Sequence, residues 1–243
     1  MSVTVQAARP MRAIRGEEPD RVQIEALIFD MDGLLVDTEH LAYGAMDAFL
    51  VKHGLERRQE IHDQMLGRRL PEAVAIIREG YGMTLPLPDL IDDYALMRRE
   101  ALIGNVVPLP GATEIVQFGH DAGLRVALAS SGLRDQVLLS LAEAGLSGQF
   151  EVLVTGDDVD RGKPAPDIYL KAAEDLGIDP AVCVVFEDAP AGIAAAVAAG
   201  MHAVAVPNEH SRVMPFEVAP DTTLETLHDA IPWLEKHGVQ RRS

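Results

Sequence analysis

The sequence predicts an α/β protein, a parallel sheet covered by helices on both faces, with an all-helical domain inserted after the first strand. Three observations carry that expectation. Short apolar runs that are continuous rather than alternating recur at 24–29, 124–129, 152–154, 182–186 and 203–206, as strands buried on both faces require. Helical patterns at 113–122, 133–144, 167–176 and 191–199 separate the later runs, and Gly123, Gly145, Gly177 and Gly200 stand where left-handed helix caps are expected. That alternation closes into a parallel sheet with helices on either side. Finally, the stretch between the first and second runs carries helical patterns only, near 39–53, 71–81 and 89–103, with Pro86, Pro88, Pro108 and Pro110 punctuating its later part. It is far too long for a crossover. The expected division is a flexible N-terminal tail at 1–22, a discontinuous core at 23–36 and 107–240, and an inserted helical domain at 37–106.

Composition narrows the function. A formal charge of −17 argues against nucleic acid as a partner, because phosphate backbones bind basic surfaces. It also requires that any phosphorylated ligand be drawn in by local positive charge. No run approaches the roughly 20 apolar residues of a membrane-spanning helix, and the N-terminus lacks the basic-then-apolar order of a signal peptide. Cys183 is the only cysteine, so no internal disulfide forms and a reduced, cytoplasmic setting is expected.

In open parallel sheets, ligands bind beyond the carboxyl ends of the strands. The residues there are Asp30 and Asp32 after the first run, Ser130 and Ser131 after the second, Lys163 in the loop after the third, and Glu187 and Asp188 after the fourth. Clustered carboxylates raise one another's pKa unless a positive charge offsets them. A hard divalent cation does so, and Mg²⁺ suits a site that also takes phosphate. The expected ligands are Asp30, Asp32 through its backbone carbonyl, and Asp188, with Glu187 as a ligand or a support behind one. Asp30 is the candidate nucleophile, attacking phosphorus to form an aspartyl-phosphate. Asp32 is placed to give a proton to the leaving oxygen and to take one from the hydrolytic water. Lys163, Ser130, Ser131 and the cation form the phosphate clamp. Gly33 permits a tight turn where a side chain would crowd the phosphate.

These residues fall in four segments: 29–39 (FDMDGLLVDTE), 128–131 (LASS), 162–167 (GKPAPD) and 185–192 (VFEDAPAG). In order and content they resemble the four motifs of the haloacid dehalogenase superfamily of phosphohydrolases, over almost the whole chain from 24 to 206. The resemblance implies a Rossmann-like core and identifies the insertion with the helical cap of subfamily I, which includes sugar phosphatases and β-phosphoglucomutase. Haloacid dehalogenases lack the second aspartate, so Asp32 argues against dehalogenation. Phosphonate cleavage in the family uses a cap lysine, and Lys52, the only lysine of the cap, reads as a solvated residue near a helix end. The mutases carry a histidine twelve residues after the nucleophile; Ala42 stands there, with His40 two residues earlier. Gly67-Arg68-Arg69 and Phe186-Glu187-Asp188-Ala189-Pro190 resemble pseudouridine-5′-phosphatase and its glycerol-phosphate phosphatase relatives, although a serine is more usual at Ala189.

The resemblance thus implies a Mg²⁺-dependent phosphatase of a small phosphorylated metabolite, of the sugar phosphate or nucleoside monophosphate class. A β-phosphoglucomutase-like mutase is the alternative. Intact Asp30, Asp32, Lys163 and Asp188 argue against a third reading, a non-enzymatic binding module. No nucleic-acid or membrane partner is expected, and cap-bearing members are commonly monomers. Gly67, Arg68 and Arg69 are the candidate cap contacts to substrate; His40 and His53 read as surface residues, Met31 as acting through its backbone, and Cys183 as buried and inert.

Overall fold

The strand β1 (Ala26–Phe29) is buried over its whole length and occupies the middle of the sheet. The computed structural model describes residues 23–65 and 68–242, so the tail expected at 1–22 and the candidate contact Gly67 lie outside the described residues. Around β1 stand β2 (Arg125–Ala129), β3 (Val152–Val154), β4 (Cys183–Glu187), β5 (His202–Ala205) and β6 (Thr222–Thr223). The order is β3-β2-β1-β4-β5-β6, and every pairing is parallel.

Alternation along the strands divides the core. Leu27 and Phe29 join one apolar cluster with α5 (Ala112–Ala122), α6 (Arg134–Glu143) and α9 (Ala230–Lys236). Ala26 and Ile28 join another with α7 (Asp167–Leu176) and α8 (Pro190–Ala198). The first face is built from large side chains, including Phe29 stacked on Phe186 at 5.3 Å. The second is dominated by alanine, which lets α7 and α8 sit close against the strands and brings their first turns near the site.

The inserted segment carries α1 (Glu39–Lys52), α2 (Gln59–His62), α3 (Leu70–Gly80) and α4 (Leu87–Leu102). These pack on one another around Met46, Phe49, Leu50, Val74, Ile77 and Tyr94, a third cluster separate from the other two. Its two ends meet, with the Asp37 amide donating to the Val107 carbonyl at 3.0 Å.

Three elements carried no readable period. β6 is two residues long, and its place is set by tertiary contacts, the Asp221 carboxylate accepting from the Ala203 amide at 2.9 Å. α2 has four residues and α9 seven, too few turns for an apolar stripe to declare itself. Among the described residues no helix is long and apolar enough to cross a membrane.

Candidate active site

Register brings the acidic groups level. Phe29 is paired with Leu128 on one side and Phe186 on the other, so the carboxyl ends of β1, β2 and β4 finish side by side. Asp30 follows β1 directly, Ser130 follows β2, Glu187 is the last residue of β4 rather than the one after it, and Asp188 comes next. The Asp30 amide donates to the Phe186 carbonyl at 3.1 Å and the Ser130 amide to the Val154 carbonyl at 3.0 Å, extending the ladder into the site. Oxygens of Asp30, Glu187 and Asp188 all lie within 4.8 Å of one another, and all three residues are buried.

Lys163 enters from the loop after β3 and is 2% exposed. Its Nζ donates to Asp30 Oδ1 at 2.6 Å, to Glu187 Oε1 at 2.7 Å and to the Ala129 carbonyl at 3.3 Å, which uses all three ammonium hydrogens. It also lies 5.0 Å from the centre of the Tyr169 ring, and the Tyr169 hydroxyl donates to Glu187 Oε1 at 3.2 Å. The second Glu187 oxygen accepts from the Ala189 amide at 2.8 Å, so position 189 acts through its backbone while its methyl adds no hydrogen bond. Gly192 is required here. A Cβ on it would fall 1.6 Å from Glu187 Oε1, within the carboxylate itself.

One ammonium does not balance three carboxylates. Burial pushes the Asp30 carboxyl up to about 8, with Glu187 and Asp32 adding to the rise and Lys163 opposing it. Burial also holds Asp188 well above the usual carboxylate range, reinforced by Glu187 and Asp30. For Lys163 burial opposes the charge, but Asp30 and Glu187 outweigh it and raise the ammonium well above its ordinary value. A cluster of buried carboxylate oxygens with excess negative charge fits a hard divalent cation with oxygen ligands.

The Asp32 carboxylate is not one of that cluster. Oδ1 accepts from the Thr38 hydroxyl at 2.6 Å and Oδ2 from the Ser130 hydroxyl at 3.3 Å, and the Gly132 amide donates back to Ser130 Oγ at 3.1 Å. Two hydroxyls thereby fix the rotamer of Asp32 on the cavity wall. Thr38, buried immediately before α1, ties that wall to the root of the cap. The cavity is about 120 Å³, and Ser131 and Ala42 also line it.

Asn208, beyond the end of β5, went unread in the sequence. Its Nδ2 donates to Asp188 Oδ2 at 2.9 Å and to the Gly33 carbonyl at 3.0 Å. Its Oδ1 accepts from the amides of His210 and Ser211 at 2.8 and 3.0 Å, which fixes the orientation of the amide. The strand-end rule that found Glu187 points equally to this loop. Gly33 adopts φ +80°, and a Cβ there would come within 2.6 Å of Asn208 Nδ2 and 3.0 Å of Asp188 Oδ2. The glycine is therefore needed twice, for its backbone conformation and for that close approach.

In the cap, Arg68 lines the cavity and gives Nε to the Gln64 carbonyl at 2.8 Å. Arg69, the other expected cap contact, turns toward the core. Its guanidinium donates to the Val159 and Asp160 carbonyls at 2.6 and 2.7 Å and to Glu72 Oε1 at 2.6 Å, fastening the cap to the loop that leads into Lys163. Two further cap residues of the cavity wall, His62 and Arg98, also went unread, since neither belongs to a motif. His40 is exposed and paired with Asp37 at 3.2 Å, whereas His53 is largely buried, against Asp93 and the Phe49 ring. Lys52 likewise pairs with Asp93. Cys183 is buried, and burial pushes its thiol up to about 12, so it is inert.

Comparison with known proteins matches residues 27–206 to the family described as haloacid dehalogenase-like hydrolase. A phosphorylated carbohydrates phosphatase of Thermotoga maritima is 32% identical over 74% of this chain and 84% of its own length. A (DL)-glycerol-3-phosphatase of Arabidopsis thaliana is 33% identical over 87% of this chain and 91% of its own. Among solved structures, CbbY from Rhodobacter sphaeroides in complex with phosphate superposes with a TM-score of 0.75 at 26% identity, covering 84% of this chain and 95% of that one.

Proposed function

The chain belongs to the haloacid dehalogenase-like hydrolase family, and we propose that it is a Mg²⁺-dependent phosphatase of a sugar phosphate or related small metabolite, working through an aspartyl-phosphate on Asp30. The observation that carries this reading is Lys163, buried between Asp30 and Glu187 with Asp188 beside them. Relatives that act on phosphorylated carbohydrates and glycerol-3-phosphate support hydrolysis of a small phosphorylated metabolite.

Lys163 holds Asp30 Oδ1 and so orients the carboxylate, and its charge favours the ionised form against the effect of burial. An Asp30 oxygen attacks phosphorus, the bond from phosphorus to the leaving oxygen breaks, and that oxygen takes a proton from Asp32. Asp32, deprotonated, then takes a proton from water as the water oxygen attacks phosphorus. The bond to Asp30 breaks and phosphate leaves. Thr38 and Ser130 hold Asp32 in the rotamer both steps need. Ser131 lines the cavity beside it, and Lys163 supplies the fixed positive charge toward the phosphoryl oxygens. Asp30, Asp188 and the Asp32 carbonyl would hold Mg²⁺, with Glu187 tying the set to Lys163; the ion offsets carboxylate repulsion and the charge of the phosphoryl group.

Ala42 presents only a methyl to the cavity, leaving no side chain at that position to guide a sugar hydroxyl back to the phosphoryl group, which supports water over a mutase acceptor. A cytoplasmic setting, consistent with the single buried cysteine, belongs to the same proposal. Asp30→Asn should lower release of phosphate from para-nitrophenyl phosphate with Mg²⁺ by more than about 10⁴-fold, as loss of a nucleophile does. Retained turnover would remove the nucleophile assignment.

A further inference from the structure

The cavity has two unlike walls. On the core side stand Asp30, Asp32, Glu187 and Asp188 around Lys163; on the cap side stand Arg68, Arg98 and His62, with Glu39 at the root of α1. The chain carries 38 acidic residues against 21 Lys and Arg, so a carboxylate partner is seldom far from an arginine. Within the cap, Arg57 pairs with Asp47, Arg58 with Glu60, Arg69 with Glu72, and Arg99 with Asp135. Arg98, adjacent to Arg99 and half-buried, forms no hydrogen bond or ion pair among the described residues. Among the described residues the Arg68 side chain hydrogen-bonds only to the Gln64 carbonyl.

Arg98 lies one turn beyond Tyr94 on α4, so both present to the same face. That turn is pinned to the core, where Gln136, itself 4% exposed and also lining the cavity, donates from Nε2 to the Ala95 carbonyl at 3.0 Å. His62 is 4% exposed, stacks on Tyr43 at 4.0 Å and leaves its Nδ1 without a hydrogen-bond partner. Burial disfavours its charged form, with the Arg57 charge adding to the effect. A half-buried guanidinium without a counter-ion and an unpartnered imidazole nitrogen are both costly arrangements. An oxyanion resolves both: the guanidinium offers it paired, charge-assisted hydrogen bonds, and it accepts from the His62 tautomer that carries its hydrogen on Nδ1.

We propose that Arg98, with Arg68 and His62, forms a second anion-binding subsite in the cap, and that the substrate carries a second phosphate or a carboxylate on its leaving group. This rests on the phosphatase reading above. The core wall takes the phosphoryl group that is transferred, and the cap wall takes the anion that stays on the product. A neutral leaving group leaves Arg98 unpaired when the cap is closed.

The test compares kcat/KM, with Mg²⁺, for substrates sharing a skeleton: fructose-1,6-bisphosphate against fructose-6-phosphate, and 6-phosphogluconate against glucose-6-phosphate. The first pair reads a second phosphate and the second a carboxylate. The expected result is at least a tenfold preference for the doubly anionic member of one pair, carried mainly by KM. In Arg98→Gln that preference should collapse toward unity, Arg98→Lys should restore part of it, and Arg99→Gln should keep it whole. Hydrolysis of the singly anionic sugars with no preference in the wild type, or a preference that survives in Arg98→Gln, overturns the subsite and leaves the phosphatase reading intact. Failure of the wild type to hydrolyse para-nitrophenyl phosphate overturns both.

Discussion

The core edge and the cap wall of the same cavity are built on opposite rules. At the core edge the charged groups have hydrogen-bond partners, although one ammonium does not balance the carboxylates. Lys163 uses all three hydrogens, Glu187 accepts from Lys163, Tyr169 and the Ala189 amide, and Asp188 is held by Asn208. Backbone register places these groups, so their geometry is as rigid as the sheet. The cap wall stands on helices that pack mainly on one another, and among the described residues Arg98 and His62 Nδ1 there have no hydrogen-bond partner. A rigid edge suits a reaction whose transition state is always the same phosphoryl group. The unpaired wall suits recognition of the part of the substrate that differs from one relative to the next.

The largest expected effect breaks the core side. Lys163→Met leaves Asp30 and Glu187 buried without their shared cation, and removing one partner of a buried pair costs about 3–5 kcal/mol. Denaturant melts should show that loss, together with loss of turnover. A change below about 1 kcal/mol would mean that the carboxylates find another partner and that the edge is less rigid than its hydrogen bonds imply.

A smaller effect concerns the unbalanced charge. Asp30 moves from 3.8 to about 8, so between those values the folded protein keeps a proton that the unfolded chain has shed. The sign follows: without a divalent cation, this group's contribution to stability is full below about pH 4 and is lost as the pH rises through 8. Asp188 shifts in the same direction. Bound Mg²⁺ replaces the proton, so it should raise Tm more at about pH 8 than at about pH 5, by roughly 2–4 °C for each kcal/mol of difference. An equal increment at both values would place the cation elsewhere. The substrate comparison at Arg98 sharpens the contrast from the cap side.

The same division explains what was legible in the sequence. The five continuous apolar runs and the glycines after the helices announce the sheet, because a strand buried on both faces has no polar positions to interrupt it. Asp30, Lys163, Glu187 and Asp188 could be found because the carboxyl ends of parallel strands must converge. Asn208 obeys that rule too, yet a single asparagine after an alanine-rich strand gives no chemical signal of its own. Position next to Arg68 says nothing about direction, and the Arg69 guanidinium turns toward the Val159 and Asp160 carbonyls. Arg98 and His62 were unreadable because their meaning lies in what they do not touch, and that is a property of packing.

In the proposed reaction Asp30 carries the phosphoryl group and Asp32 handles the protons. Asp32→Asn treated with para-nitrophenyl phosphate and Mg²⁺ separates the two roles, since nitrophenolate leaves without a proton while hydrolysis of the intermediate still needs a base, worth about 10²–10⁴-fold. The expected result is a rapid burst of one nitrophenolate per enzyme, followed by slow turnover. Borohydride reduction of the quenched protein should then convert residue 30, and no other, to homoserine. A burst whose reduced residue lies elsewhere, or slow turnover with no trapped acyl phosphate at Asp30, would contradict it.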